Sequence, residues 1–349
     1  MSLKNITICF KVSLVASFLL FLQSTYAQYN FQELDLQVEK AKKDLGNDLV
    51  VLVYRDGKII YTKSVGDFTP KTQAPIASSS KWLTAALMMV LVDEGKLSLD
   101  DRVSKYLPIF SKYSKGYITV KHCLSHLVGI ESEPIKLSSI LKRSKYSSLE
   151  EEVDDFASKK DIVANPGLEF RYGNIGLNIA GRVMEVATRK GFEQLMQEKI
   201  LRPMQMRNTS FSGLFATNPS GGAVSTANDY MNFLTMLLNK GMYNGKRILS
   251  EQSIEAMQKT QTTAAMIKYA PKVATGYNYG LGEWILETDE QGNSTVVASP
   301  GLFGTWPMID KCRGYAVVFF AKSLLGEEGR EIYLSLKKTI DQQIIANCK

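Results

Sequence analysis

The order of texture along these 349 residues predicts an α+β (α/β) fold: one antiparallel sheet flanked by helices and joined to a helical subdomain. Three observations carry that expectation. Strand-like runs occur near the start and again near the end, a long helical stretch separates them, and an Asp56-Gly57 pair divides the first two strand-like runs. Asp-Gly between β-rich segments is a hairpin signal. Sheet segments on both sides of a helical insert combine most simply by pairing the two ends of the chain in a single sheet.

Residues 1–27 stand apart from this fold. Lys4 and Lys11 flank a short apolar core from Val12 to Leu22, followed by the small-residue exit "STYA" ending at Ala27, the pattern of a secretory signal peptide. That core is shorter than the roughly 20 residues needed to cross a bilayer, and no later segment supplies such a run. Cys9 precedes the apolar stretch instead of closing it, which argues against a lipoprotein. Residues 28–349 are therefore expected to be an exported domain, periplasmic or secreted, without a membrane span. Excluding Lys4 and Lys11 lowers the formal charge from +7 to +5. Basic and acidic residues are interleaved, as in "EKAKKD" and "KLSLDDRVSK", so the surface reads as solvated and no nucleic-acid partner is expected.

Within 28–349, a sheet part is expected over about 28–77 and 235–349, and a helical part over about 78–234. "QELDLQVEKAKKDL" reads as an amphipathic helix, and "DLVVLVYRDGKIIYTKSVG" as the hairpin. Helices follow over Ser78 to Glu94, closed by Gly95, and over Asn174 to Thr188. Strand texture returns in "YNYGLGEWILE", "STVVAS", "LFGTWPMID" and "GYAVVFFA", and a final helix is expected from about Glu328 to Ala346.

Beyond residue 27 the cysteines are Cys123, Cys312 and Cys348, and the chain has two histidines, His122 and His126. No C-x-x-C occurs, so no metal site is expected. Cys312 precedes the strand Tyr315 to Ala321, and Cys348 follows the last helix. A strand of about seven residues rises roughly 23 Å, and a returning helix of about 19 residues descends roughly 28 Å. The two paths nearly cancel, predicting a Cys312–Cys348 disulfide in an exported protein, with Cys123 a buried thiol.

"PIASSSKWLTAA", Pro75 to Ala86, raises the question of chemistry. Ser78 stands three residues before Lys81, so the pair shares a helical face. A serine hydroxyl needs a base to become a nucleophile, and a desolvated lysine of lowered pKa can serve. Positive potential at a helix N-terminus favours an oxyanion there. Alone, the serine could equally be a helix cap. "EFRYGNIGLNIAGRVMEVA" adds Tyr172 and Asn174 on one tight loop: a phenol that could exchange protons with Ser78 if cations lower its pKa, and a carboxamide that could bond the lysine, a substrate amide, or the helix end. No G-x-S-x-G elbow of the α/β-hydrolase type occurs.

With these segments the sequence resembles the serine β-lactamase and penicillin-binding-protein superfamily, and within it the class C β-lactamase-like hydrolases that include esterases and D-amino-acid peptidases. The resemblance runs through "YRDGKIIYTKSVG", "PIASSSKWLTAA", "LSLDDRVSKYLP", "ITVKHCLSHLVGI", "NPGLEFRYGNIGLNIAGRVME", "GGAVSTANDYMNFLTMLLNKG" and "YGLGEW", in the family's order. It implies a β-lactamase-like fold with the active site between the sheet and the helical part. It implies Ser78 as the acylated nucleophile, Lys81 as its activating partner, Tyr172 as the base and Asn174 as a ligand of substrate or lysine. His126, in "HLVG", is expected to be structural. Gly221 and Gly222 are expected to let "GGAVST" fold over the site, with Thr226 an alternative helix cap.

The family's third motif, K-T-G or H-x-G, aligns with Ser299-Pro300-Gly301. The glycine survives, so the strand can approach substrate, and the Leu302 N–H could join Ser78 N–H in an oxyanion hole. Pro300 fits an edge strand. The cation that would grip a substrate carboxylate is gone. The expected function is a secreted serine hydrolase forming an acyl-enzyme, without metal or organic cofactor, on a small-molecule or peptide substrate: a carboxylic ester, small amide or D-amino-acid peptide. The alternatives are a β-lactamase or penicillin-binding D-alanyl peptidase, or a non-hydrolysing binding or sensor domain on the same fold.

Overall fold

Seven strands form one antiparallel sheet: β1 Leu49–Arg55, β2 Lys58–Val65, β3 Asn278–Tyr279, β4 Trp284–Thr288, β5 Ser294–Ala298, β6 Thr305–Asp310 and β7 Tyr315–Ala321. Their order is β2-β1-β7-β6-β5-β4-β3, so the first hairpin joins the last strand. The β1–β7 register runs from Leu49 opposite Ala321 to Arg55 opposite Tyr315. The computed structural model describes residues 29–132, 134, 145–213, 215–324 and 327–348; the expected signal peptide lies outside them. Among the described residues, no helix is long and apolar enough to cross a membrane.

The turn between β1 and β2 has φ of 49° at Asp56 and 83° at Gly57. Two positive φ values in succession are what a type I′ turn requires, which is why Asp-Gly marks the site. Alternation along the central strands then builds two layers. Val50, Leu52, Ala316, Val318 and Phe320 join the main core cluster. Trp306 and Phe319 face the other way and meet the ring of Tyr333, with centroids 5.5 and 4.9 Å from it.

Helix α1 (Gln32–Ala41) buries Leu34, Val38 and Ala41. It packs on β2 and on the last helix, α8 (Glu327–Asp341). On the opposite face lie α2 (Ser80–Asp93) and α6 (Ala227–Leu238), the latter packed on β1, β6 and β7. Against α2 pack α5 (Ile175–Thr188) and α7 (Glu251–Gln258), while α3 (Val120–Leu124) and α4 (Leu149–Lys159) pack on α5. Every residue of α2 from Ser80 to Leu91 is buried. A helix apolar nearly all round is a core helix, and its position makes it the axis on which the site is built.

Two differences from the sequence reading concern this frame. Helix α8 ends at Asp341, not near Ala346, and its 15 residues span about 22 Å, nearer the rise of β7 than the longer helix expected. Cys312 and Cys348 are joined by a disulfide, their Cα atoms 4.9 Å apart, and the Asn347 N–H donates to the Cys312 carbonyl at 2.7 Å. The second difference is at Pro300. Strand β5 is an interior strand, with β4 and β6 on either side, so Pro300 is not on an edge. It is tolerated because β5 ends at Ala298 and the ladder closes with the Ser299 N–H on the Pro307 carbonyl, one residue before the proline.

Candidate active site

The chain enters α2 through a single 3₁₀ turn, Ala77–Ser79, so the α-helix begins two residues later than the sequence suggests. A 3₁₀ turn repeats every three residues, which aligns Ser78 with Lys81 at least as well as an α-helix would. Ala77 has a φ of 44°. For a residue with a Cβ this left-handed conformation costs on the order of 1–3 kcal/mol, and it persists only where the surroundings impose it. The imposing contacts are the Ile76 N–H on the Ala223 carbonyl at 3.0 Å and the pairing of Ala74–Pro75 with Val224–Ser225.

The three consecutive serines have three different environments. Ser79 Oγ donates to the Ser299 carbonyl at 2.7 Å, tying the Ala77–Ser79 turn to the end of β5. Ser80 Oγ accepts the Ala223 N–H at 3.1 Å. Ser78 Oγ lies 3.2 Å from Lys81 Nζ. Two hydroxyls are structural clamps, and the third faces the amine.

Lys81 is fully buried. Its Nζ donates to the Ser220 carbonyl at 2.8 Å and to Asn174 Oδ1 at 3.3 Å, besides its approach to Ser78. Asn174 occupies the N-cap position of α5 but makes no side-chain cap bond there; its carboxamide is spent on the lysine. Desolvation disfavours the ammonium and pushes the Lys81 pKa down to about 7. Tyr172, also buried, lies beside it, with the amine 5.0 Å from the ring centroid.

Burial raises the Tyr172 pKa well above its ordinary value, although hydrogen bonding to the Ser78 hydroxyl and the Trp284 indole works in the opposite direction. The condition set by the sequence reading, a phenol whose pKa neighbouring cations lower, is not met: desolvation dominates, and Lys81, with a pKa of about 7, is only about half protonated at pH 7. The ring is held among His126, Tyr279 and Trp284, with centroids 4.7, 6.0 and 5.1 Å away. His126 Nε2 and the Tyr279 hydroxyl are 3.2 Å apart. Burial, then the adjacent Lys81, push the His126 pKa well down, so the imidazole is neutral. Arg171 pairs with Glu169 at 2.9 Å and is a surface charge.

The Ser299-Pro300-Gly301 stretch lies against the Ala77–Ser79 turn. A Cβ on Gly301 would come within 2.2 Å of the Ile76 carbonyl, a close approach that only glycine permits. The Gly301 N–H is taken by the Thr305 carbonyl at 2.7 Å, so Gly301 is not itself an oxyanion donor; half-buried Leu302 follows it. Ser299 Oγ is buried 3.5 Å from the carbonyls of Ser78 and Gly282. Its hydroxyl is oriented toward main chain.

Gly221 and Gly222 lie beside this turn, as Ala223 and Ser220 make the contacts just described. Thr226 caps α6, its side chain accepting the Asp229 N–H at 3.1 Å. Sequence reasoning missed Ser220, whose contribution is a main-chain carbonyl with no side-chain signal. It also missed Asn178 and Glu152 behind it: Asn178 Oδ1 accepts the Ser220 N–H at 3.0 Å, and Asn178 Nδ2 donates to Glu152 Oε2 at 3.0 Å. A polar residue on the otherwise apolar buried face of α5 is the available clue.

The beta-lactamase family model matches residues 46–337. Among curated proteins, the chain is 27% identical over 172 residues to protein flp of Staphylococcus aureus (strain MW2), covering 46% of this chain and 34% of that protein. It is 30% identical over 257 residues to beta-lactamase-like protein 2 of Dictyostelium discoideum, covering 61% and 46%. The chain thus spans between a third and a half of the length of these relatives. Among solved structures, a candidate beta-lactamase from Bacteroides dorei DSM 17855 superposes with a TM-score of 0.79 at 31% identity, covering 90% of this chain and 98% of that one. The hydrolase EstCE1, which has promiscuous acyltransferase activity, superposes with a TM-score of 0.73 at 21% identity, covering 88% and 98%. At that identity the likeness establishes the fold alone.

Proposed function

Because the chain belongs to the beta-lactamase family of serine hydrolases, we propose that it hydrolyses carboxylic esters or small amides through an acyl-enzyme on Ser78. One observation carries this reading: a fully buried lysine, its pKa pushed down to about 7, stands 3.2 Å from the Ser78 hydroxyl. Neutral Lys81 takes the hydroxyl proton as Ser78 Oγ attacks the acyl carbonyl. The N–H groups of Ser78 and Leu302 hold the oxyanion. Tyr172, protonated at the outset, gives its proton to the leaving group and is reprotonated from Lys81. Water then attacks the acyl-enzyme, its proton returns to the Tyr172 and Lys81 pair, and Ser78 leaves with a proton restored.

The lysine, not the tyrosine, is the base in this scheme, because burial favours the neutral form of both groups: a base in one case and an acid in the other. Neutral acyl substrates are preferred because the third motif has no cation, and the Ser299 hydroxyl that replaces it is turned toward two main-chain carbonyls. Turnover of small chromogenic esters is therefore expected to exceed that of a chromogenic cephalosporin. Ser299→Lys is expected to improve the cephalosporin relative to a neutral ester by about tenfold, the effect of one added charge-assisted bond to a carboxylate. A wild-type preference for the cephalosporin would overturn this substrate class, and no gain in the variant would show that Ser299 does not occupy the carboxylate-binding position.

Export is part of the same proposal, supported by the pattern of residues 1–27 and by a disulfide of the kind that persists in oxidising compartments. Protein recovered from outside the cytoplasm is expected to begin at Gln28. Reducing its Cys312–Cys348 bridge is expected to remove about 2–4 kcal/mol of stability. A chain retained inside with its N-terminus intact, or a thermal midpoint indifferent to reductant, would count against the proposal.

A further inference from the structure

We propose that Asn178, held by Glu152, is a positioning residue that turns the Ser220 carbonyl onto Lys81 and so aims the lysine lone pair at Ser78. The inference rests on the acyl-enzyme reading above and deepens it. Asn178 is fully buried, and Glu152 is 2% exposed. The rest of the buried face of α5 is Ile175, Leu177, Ile179, Val183 and Met184, with small residues between them. A carboxamide placed there is costly unless its donor and acceptor are both satisfied, and both are.

The geometry has one reading. A carboxylate only accepts, so Glu152 must receive the amide N–H of Asn178, which leaves Asn178 Oδ1 to receive the Ser220 N–H. The same loop is pinned from α2, where Thr84 Oγ1 donates to the Pro219 carbonyl at 2.6 Å. These two bonds fix the 219–220 peptide, and the next peptide, whose Gly221 N–H donates to the Asn218 carbonyl at 3.2 Å, presents the Ser220 carbonyl to Lys81 Nζ, at 2.8 Å the shortest of the lysine's three contacts.

A neutral amine has two N–H bonds and one lone pair. The Ser220 carbonyl and Asn174 Oδ1 accept the two hydrogens. The lone pair is then left for the third neighbour, the Ser78 hydroxyl, which is the orientation proton abstraction needs. If the Ser220 carbonyl swings away, an N–H can turn toward Ser78 Oγ instead, and the amine becomes a donor to the group it should deprotonate. Asn178 touches neither substrate nor nucleophile; it acts through Ser220 and Lys81.

A donor swap tests this. Asn178→Asp sets two carboxylates against each other, whereas Asn178→Asp combined with Glu152→Gln restores one donor and two acceptors in the same row. On an activated ester, Asn178→Asp is expected to lower kcat about 30- to 100-fold with KM within about threefold, the size of effect a misplaced catalytic group produces. It is also expected to displace the rising limb of the pH profile and to slow labelling of Ser78 by a phosphonate probe. The double variant is expected to return to within about fivefold of wild type, with the limb back in place. A wild-type rate and pH profile in Asn178→Asp would overturn the proposal. So would a double variant that folds cooperatively yet stays more than about 30-fold slow, and this second criterion decides alone if the single variant does not fold. Wild-type turnover and Ser78 labelling are measured on the same preparations. Absence of both removes the acyl-enzyme reading, while an active, labelled wild type with an unresponsive Asn178 series removes only this inference.

Discussion

Ser78→Ala is expected to abolish both turnover and covalent labelling by an active-site serine probe, with a loss of at least about 10³ in kcat, because the acyl group then has no atom to bond to. The expectation separates Ser78 from its neighbours on structural grounds. Ser79 Oγ is committed to the Ser299 carbonyl, and Ser80 Oγ to the Ala223 N–H. Only Ser78 Oγ faces the amine of Lys81. Ser80→Ala serves as the control: it removes the Ala223 clamp, so it should lower thermal stability while leaving the label on Ser78. Intact-mass analysis and peptide mapping decide the matter. A label on Ser79 or Ser80, or undiminished turnover in Ser78→Ala, would sink the assignment.

What was legible in the sequence was local. Asp56-Gly57 marked its turn because the φ values required there suit few other pairs. Continuous apolar runs such as Tyr315–Ala321 marked the interior strands because both faces of the sheet are covered. Ser78 and Lys81 were legible because three residues is one turn. Other features depended on segments far apart in the chain. The start of α2 was misjudged because the Ala77–Ser79 turn is imposed by the 223–225 segment, not by its own residues. For Tyr172 the sequence offers only a condition, a pKa lowered if cations stand near, whereas its electrostatics follow from enclosure by His126, Tyr279 and Trp284, contributed by distant stretches. Pro300 suggests an edge because proline cannot donate, yet a position two residues beyond the end of β5 satisfies the same constraint beside an interior strand.

Lys81→Met is expected to lower kcat by about 10² to 10⁴, the usual size of general-base assistance, and to erase the pH dependence that the lysine imposes. In the wild type, kcat/KM should rise about tenfold per pH unit below about 7 and level off above it, because only the neutral amine can accept the Ser78 proton. The other titratable groups facing that amine do not complicate the limb. Burial holds Tyr172 protonated well above this range, and burial together with Lys81 itself keeps His126 neutral. Tyr172→Phe is therefore expected to slow turnover while leaving a limb near pH 7. Removing the lysine should move stability in the opposite sense to activity. The folded pKa of Lys81 lies below the unfolded value of 10.5, so between about 7 and 10.5 the unfolded chain binds the extra proton and stability rises with pH. Below about 7 the buried ammonium exerts its full destabilising effect. Methionine fills similar space with no charge to desolvate, so Lys81→Met should melt at a higher temperature than wild type at pH 6 while being far less active. If the variant keeps the limb near pH 7, or if Tyr172→Phe is the substitution that erases it, the base is the tyrosine and the lysine serves only to orient it.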